Sequence, residues 1–218
     1  EFSVTPIRAD LKPGSLTETI TVGNDSKSPL RVSVRLMEWT QDEKGEDVYK
    51  ESGDLVYFPR QMDIGAGARR VVRLGAKNIP PDRERAYRLF IEEMGSPLEG
   101  ASTGVSFYFR FGVPIFVAPP SARHELLVAD PVVAQGSVRV DVQNHGTRHY
   151  RFNRVVFSNG SGFRKEVAGW YSLAGSRRSY RTELPGEVCR SSAVLTARLE
   201  GEGVEIERQV KVDPATCG

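Results

Sequence analysis

Residues Thr103–Pro119 (TGVSFYFRFGVPIFVAP) constrain the fold more than any other part of the chain. Apolar side chains fall at every second position: Val105, Phe107, Phe109, Phe111, Val113, Ile115 and Val117. The opposite face carries Ser106, Tyr108, Arg110, Gly112 and Pro114. A period of two is that of a β-strand. Strands average about five or six residues, so this one is unusually long. Pro114 has no amide proton to give a ladder, which puts the strand at a sheet edge. A long apolar edge is a template for another chain, and proteins normally blunt such edges with charge, bulges or cover. Two readings are open at this point. Both faces are buried inside a sandwich, or the edge is offered to a partner with its phenylalanines as anchors.

The residues before this stretch also read as strands: Phe2–Leu11 (with Pro6 marking an edge or bulge), Leu16–Val22, Leu30–Trp39, Leu55–Phe58, Arg70–Leu74 and Tyr87–Met94. Turn residues separate them at Pro13-Gly14, Asn24-Asp25-Ser26 and Gly65-Ala66-Gly67. Gln41–Ser52 reads as a charged connection and Gly95–Gly104 as a short loop. No helical period of useful length occurs. Short strands with turn signals roughly every 8–12 residues are the pattern of an immunoglobulin-like sandwich. After Pro119-Pro120-Ser121 the pattern restarts, with strands over Leu126–Val128, Ser137–Val142, Phe152–Phe157, Val167–Leu173, Ser179–Leu184, Ala193–Leu199 and Val204–Val212. The expected fold is all-β: two immunoglobulin-like domains, 1–119 and 120–218, meeting at an angle with a cleft between them.

With 218 residues, each half is long enough for its own core. Thirty lysines and arginines against 28 acids leave a net charge of +2, which argues against a nucleic-acid footprint. No apolar run approaches the ~18 residues that span a bilayer. Cys189 and Cys217 both lie in the last third, with a spacing remote from CxxC. A structural disulfide in an oxidising compartment is the favoured reading, worth roughly 3 kcal/mol. Two free thiols or half a metal site are the alternatives. His145 and His149 flank a Gly-Thr turn with no third ligand beside them, and His124 stands alone. No GxSxG, HExxH or phosphate-cradling glycine loop is present, so neither catalysis, metal nor cofactor is expected.

Arg8 lies in an otherwise apolar and small-residue strand, and Arg110 lies in the long edge strand. Either each pairs with a surface carboxylate, worth at most about 1 kcal/mol, or both face the interdomain cleft and grip an anion. The guanidinium fork suits a carboxylate. A partner's C-terminus held there would fix the register of a strand adding to the neighbouring edge.

Several stretches, taken in order, resemble the periplasmic chaperones of chaperone–usher pilus assembly. They are VTPIRADL (Val4–Leu11), YFPRQMDIGAGARRVVRL (Tyr57–Leu74), YRLFIEEM (Tyr87–Met94), VPIFVAPP (Val113–Pro120), VDVQNHGTRHYRFNRVVF (Val140–Phe157) and YSLAGSRRSY (Tyr171–Tyr180). The short loop before the long strand and the VPIFVAP ending look like the archaic branch. The resemblance implies a boomerang of two immunoglobulin-like domains in the periplasm. It also implies a non-enzymatic role: capping pilus subunits that lack their final strand by donor-strand complementation, and delivering them to an outer-membrane usher. Val105, Phe107, Phe109 and Phe111 would be the donated side chains. Arg8 matches the family's first cleft residue. The second basic position falls on Pro114, which leaves Arg110 as the nearest candidate on that face. Self-association of the unloaded chain through its edge is a further expectation. The competing reading is a two-domain adhesion or binding module with a paired, polar final strand.

Overall fold

The computed structural model describes residues 2–95 and 108–217. Val105, Phe107 and nearly all of the predicted Gly95–Gly104 loop lie outside the described residues. The chain divides into two compact units, 1–40 with 48–121, and 41–47 with 122–218. Each is built from two β-sheets.

The strands of the first unit are β1 (Phe2–Thr5), β2 (Ala9–Leu11), β3 (Thr17–Asn24), β4 (Leu30–Gln41), β5 (Asp47–Glu51), β6 (Leu55–Phe58), β7 (Gln61–Ile64), β8 (Arg69–Ala76), β9 (Arg85–Glu93) and β10 (Arg110–Val117). One sheet runs β1-β3-β8-β6; the other runs β2-β10-β9-β4-β5, with β7 also on β4. The alternating apolar positions of β4, β9 and β10 (Val32, Val34, Leu36; Leu89, Ile91; Val113, Ile115, Val117) meet Ile20, Val22, Val72 and Leu74 of the opposite sheet. Burial of each such side chain stabilises by roughly 1.5–3 kcal/mol relative to exposure. The predicted Phe2–Leu11 strand proves to be two. It breaks at Pro6, whose bond to Thr5 is cis, so that β1 pairs with β3 while β2 runs parallel to β10 in the other sheet. The predicted connection Gln41–Ser52 contains β5, and β7 was also unforeseen.

Two side-chain devices tie the sheets. The Asn24 amide, fully buried, donates to the carbonyls of Ser28 and Ile64 (2.8 and 3.0 Å), and its oxygen accepts from the Ser26 N–H. The Tyr87 hydroxyl on β9 donates to Asp54 at the start of β6 (2.8 Å), where Arg85 also reaches (3.0 Å). Burial pushes the Tyr87 phenol up, and its hydroxyl is the chief reason Asp54 lies below the usual carboxylate range.

The second unit comprises β11 (Leu126–Val128), β12 (Val132–Ala134), β13 (Ser137–Asn144), β14 (Tyr150–Ser158), β15 (Arg164–Ala168), β16 (Tyr171–Ser172), β17 (Arg177–Glu183), α1 (Gly186–Ser191), β18 (Val194–Gly201) and β19 (Val204–Lys211), then a 3-10 turn, Pro214–Thr216. Val138, Val140 and Val142 of β13 pack against Phe152, Val155 and Phe157 of β14 and Leu195, Ala197 and Leu199 of β18. Asn144 repeats the Asn24 device, donating to Arg148 and Ser172 carbonyls (2.8 and 2.9 Å) and accepting from Gly146 N–H. Cys189, buried on α1, is bonded to Cys217 after the 3-10 turn, with Cα atoms 5.7 Å apart. The disulfide reading of the cysteines is therefore the one the structure adopts.

Candidate strand-addition site

The edge at β10 is set by which way its amides point. Phe109 O accepts from Glu93 N–H (2.9 Å), so the odd-numbered residues of β10 bond β9; Ala118 N–H donates to Leu11 O (2.8 Å), so the even-numbered ones face away. The ladder with β9 covers Arg110–Val117. On the other side, β2 pairs only with Ile115–Val117. Among the described residues, Arg110–Val113 thus present an unpaired edge, and Pro114 sits where that edge meets β2. Its missing N–H falls on the open side, where no ladder partner loses a donor. The edge expected from Pro114 is present over half of the strand and covered over the other half.

Above the core, the inward row of β10 continues as Phe111 and Phe109, 38% and 49% exposed, while Val113, Ile115 and Val117 below them are buried. Two of the four predicted anchors are therefore aromatic rings emerging from the open end of a sandwich core. Phe2 of β1 lies across from them.

The predicted pair of arginines is not brought together. Arg110 is exposed on the outer face, its Nε 2.8 Å from Glu92 Oε1 and its guanidinium 4.0 Å from the Phe90 ring centroid. Arg8 lies between β1 and β2, forks onto both Asp10 oxygens (2.9 and 3.0 Å), and stands 5.3 Å from the Phe116 ring centroid. Positions 110 and 116 are six residues apart on one strand, about 20 Å at ~3.4 Å per residue. A second cation, Arg88, missed in the sequence, stands over the ring next to Phe116. Arg88 is directly opposite Pro114 in the β9–β10 ladder, its guanidinium 4.8 Å from the Trp39 ring centroid and its Nη1 donating to Tyr49 Oη (2.9 Å). The Trp39 and Phe116 rings beneath the two guanidiniums are 6.0 Å apart. A half-buried pair of cations thus flanks the closed end of an open strand edge.

The histidines are held in the second unit's own packing. His145 lies 3.0 Å from Gln143 Oε1, and His124 and His149 pack beside Tyr150 and Tyr171. Among the described residues, no three His, Cys, Asp or Glu side chains cluster in a metal-binding arrangement.

Residues 1–123 match the family described as "Pili and flagellar-assembly chaperone, PapD N-terminal domain". The chain belongs to that chaperone family. Solved structures agree on the fold over nearly the whole chaperone. A chaperone–tip adhesion subunit complex, CsuC–CsuE from the archaic Csu pili of Acinetobacter baumannii, superposes with a TM-score of 0.67 at 19% identity, over 96% of this chain and 97% of that one. The CupB2 chaperone of Pseudomonas aeruginosa gives 0.63 at 16% identity, over 97% and 100%. A structure of SafA pilin with the SafB chaperone from Salmonella enterica gives 0.59 at 14%, over 96% of each. No curated protein matches the chaperone.

Proposed function

We propose that the chaperone acts in the periplasm by donor-strand complementation, on the pattern of the archaic branch. It caps pilus subunits that lack a final strand and delivers them to an outer-membrane usher. The observation that carries this reading is the open β10 edge beside Arg110–Val113, with the Phe109 and Phe111 rings emerging next to it. A subunit strand adding there gains backbone hydrogen bonds, while its open core takes the apolar row that includes Val105, Phe107, Phe109 and Phe111. This strand-addition mode draws affinity from the main chain and specificity from alternate side chains.

The strand would end at Pro114, which offers no further donor, and its terminal carboxylate would meet Arg8 and Arg88. Arg110 would serve the rim. The chemistry is exchange of non-covalent strand partners, so no nucleotide or metal enters it. The test is periplasmic co-expression with a candidate subunit, followed by native mass spectrometry. A one-to-one complex with a subunit unstable by itself is the expected result. Bare chaperone beside independently folded subunits, across several candidates, would favour the adhesion-module reading instead.

A further inference from the structure

We propose that Phe2 is a positioning residue for the donated strand, an inference that rests on the strand-addition reading above. The Phe2 ring is only 7% exposed, although it belongs to β1 at the edge of the other sheet. It is buried beneath β10, 5.1 Å from the Phe111 ring and 6.2 Å edge-to-face from the Phe109 ring. Over Arg110–Val113, β10 is held by backbone bonds on its β9 side alone, because β2 begins its pairing at Ile115. Phe2 is therefore what fixes the inner side of the emerging strand. Aromatic edge-to-face contacts at these separations are attractive beyond simple area burial.

The exposed portions of Phe109 and Phe111 are what a partner would cover, so a partner can dock without breaking the contact with Phe2. Holding a binding segment in its bound conformation lowers the ordering cost of association. Phe2 thereby presets Phe109 and Phe111 in the unloaded chaperone. Its removal should slow capture and leave release nearly unchanged.

Two measurements on the full chain test this. In stopped-flow capture of a refolding subunit, Phe2→Ala should lower the association rate about three- to tenfold and change dissociation less than twofold, with Phe2→Tyr restoring the rate. In the unloaded chaperone, the Phe111 and Val113 amides, which face β9, should exchange about tenfold faster in Phe2→Ala, while the β9–β4 ladder amides keep their protection. Phe2→Leu provides a milder change should the alanine variant fold poorly. An unchanged or faster association rate overturns the proposal, as does a loss confined to dissociation. Exchange accelerated evenly across the first unit also overturns it, since that is the mark of a purely structural residue. If the wild-type chain captures no subunit, the strand-addition reading itself fails, and the exchange pattern alone decides whether Phe2 orders β10.

Discussion

Replacing Arg88 with glutamine separates the two candidate grips on a partner's C-terminus. The guanidinium stacks on Trp39 and donates to Tyr49 Oη, so alanine would strip cover from a buried indole; glutamine keeps most of the stem. If Arg88 holds a carboxylate beside Pro114, its loss removes one member of a desolvated, hydrogen-bonded charge pair. Such truncations cost about 2–4 kcal/mol, or roughly 30- to 900-fold in Kd. Arg110→Gln breaks an exposed pair with Glu92, worth about 0.2–1 kcal/mol, and the contact with the Phe90 ring, and neither belongs to the carboxylate grip, so capture should weaken less than about fivefold. The assay is equilibrium competition for a refolded subunit against labelled wild-type chaperone, with melting curves confirming that both variants are folded. A subunit whose C-terminus is amidated should lose its sensitivity to Arg88→Gln. Equal losses from the two substitutions, or a change of less than about threefold for Arg88→Gln, would refute the reasoning.

Phe109→Asp should abolish subunit capture in pull-down while lowering melting modestly, because the half-exposed ring also packs edge-to-face on buried Phe2. Cys189→Ser should remove roughly 3 kcal/mol from the second unit and lower its calorimetric transition by about 10–15 °C, with reduction of the wild type producing the same shift. Asp54 titrates lower in the folded chain than unfolded, so its contribution is present above about pH 4 and is lost as pH falls through the lowered folded value. Asp54→Asn should therefore cost on the order of 1 kcal/mol at pH 7 and progressively less as pH falls below about 4, read from denaturant unfolding across that range.

The strands legible from sequence were those whose alternate residues enter a core. In β4, Val32, Val34 and Leu36 keep a strict two-residue period because their opposite neighbours meet solvent or a second polar layer. β5 (DVYKE) carries little apolar period, and β7 (QMDI) alternates over only four residues although Met62 and Ile64 enter the core; both pair with long β4. The single reading of Phe2–Leu11 followed from a pattern that both halves satisfy. Only tertiary pairing sends Ala9–Leu11 to a different sheet from Phe2–Thr5.

The site was legible in part for the same reason. Phe109 and Phe111 declare themselves by spacing and Arg8 by its surroundings. Arg88 reads as an ordinary outward charge in YRLFIEEM. Its place at the candidate site depends on standing opposite Pro114, a register fact. A slip of one residue in that hairpin would turn Arg88 to the other face.

Pro114 and β2 together make the β10 edge a blind slot, closed at one end. A strand sliding along it meets a missing donor and then a seat already taken by Ala9–Leu11. Under the proposed strand addition, a slot of that form measures from its closed end, so it sets where a polypeptide stops while the alternate side chains decide what fits along it. Clients sharing one holder would then have to finish at the same place as well as fit its apolar row. A client extended by even a few residues would be refused on length alone.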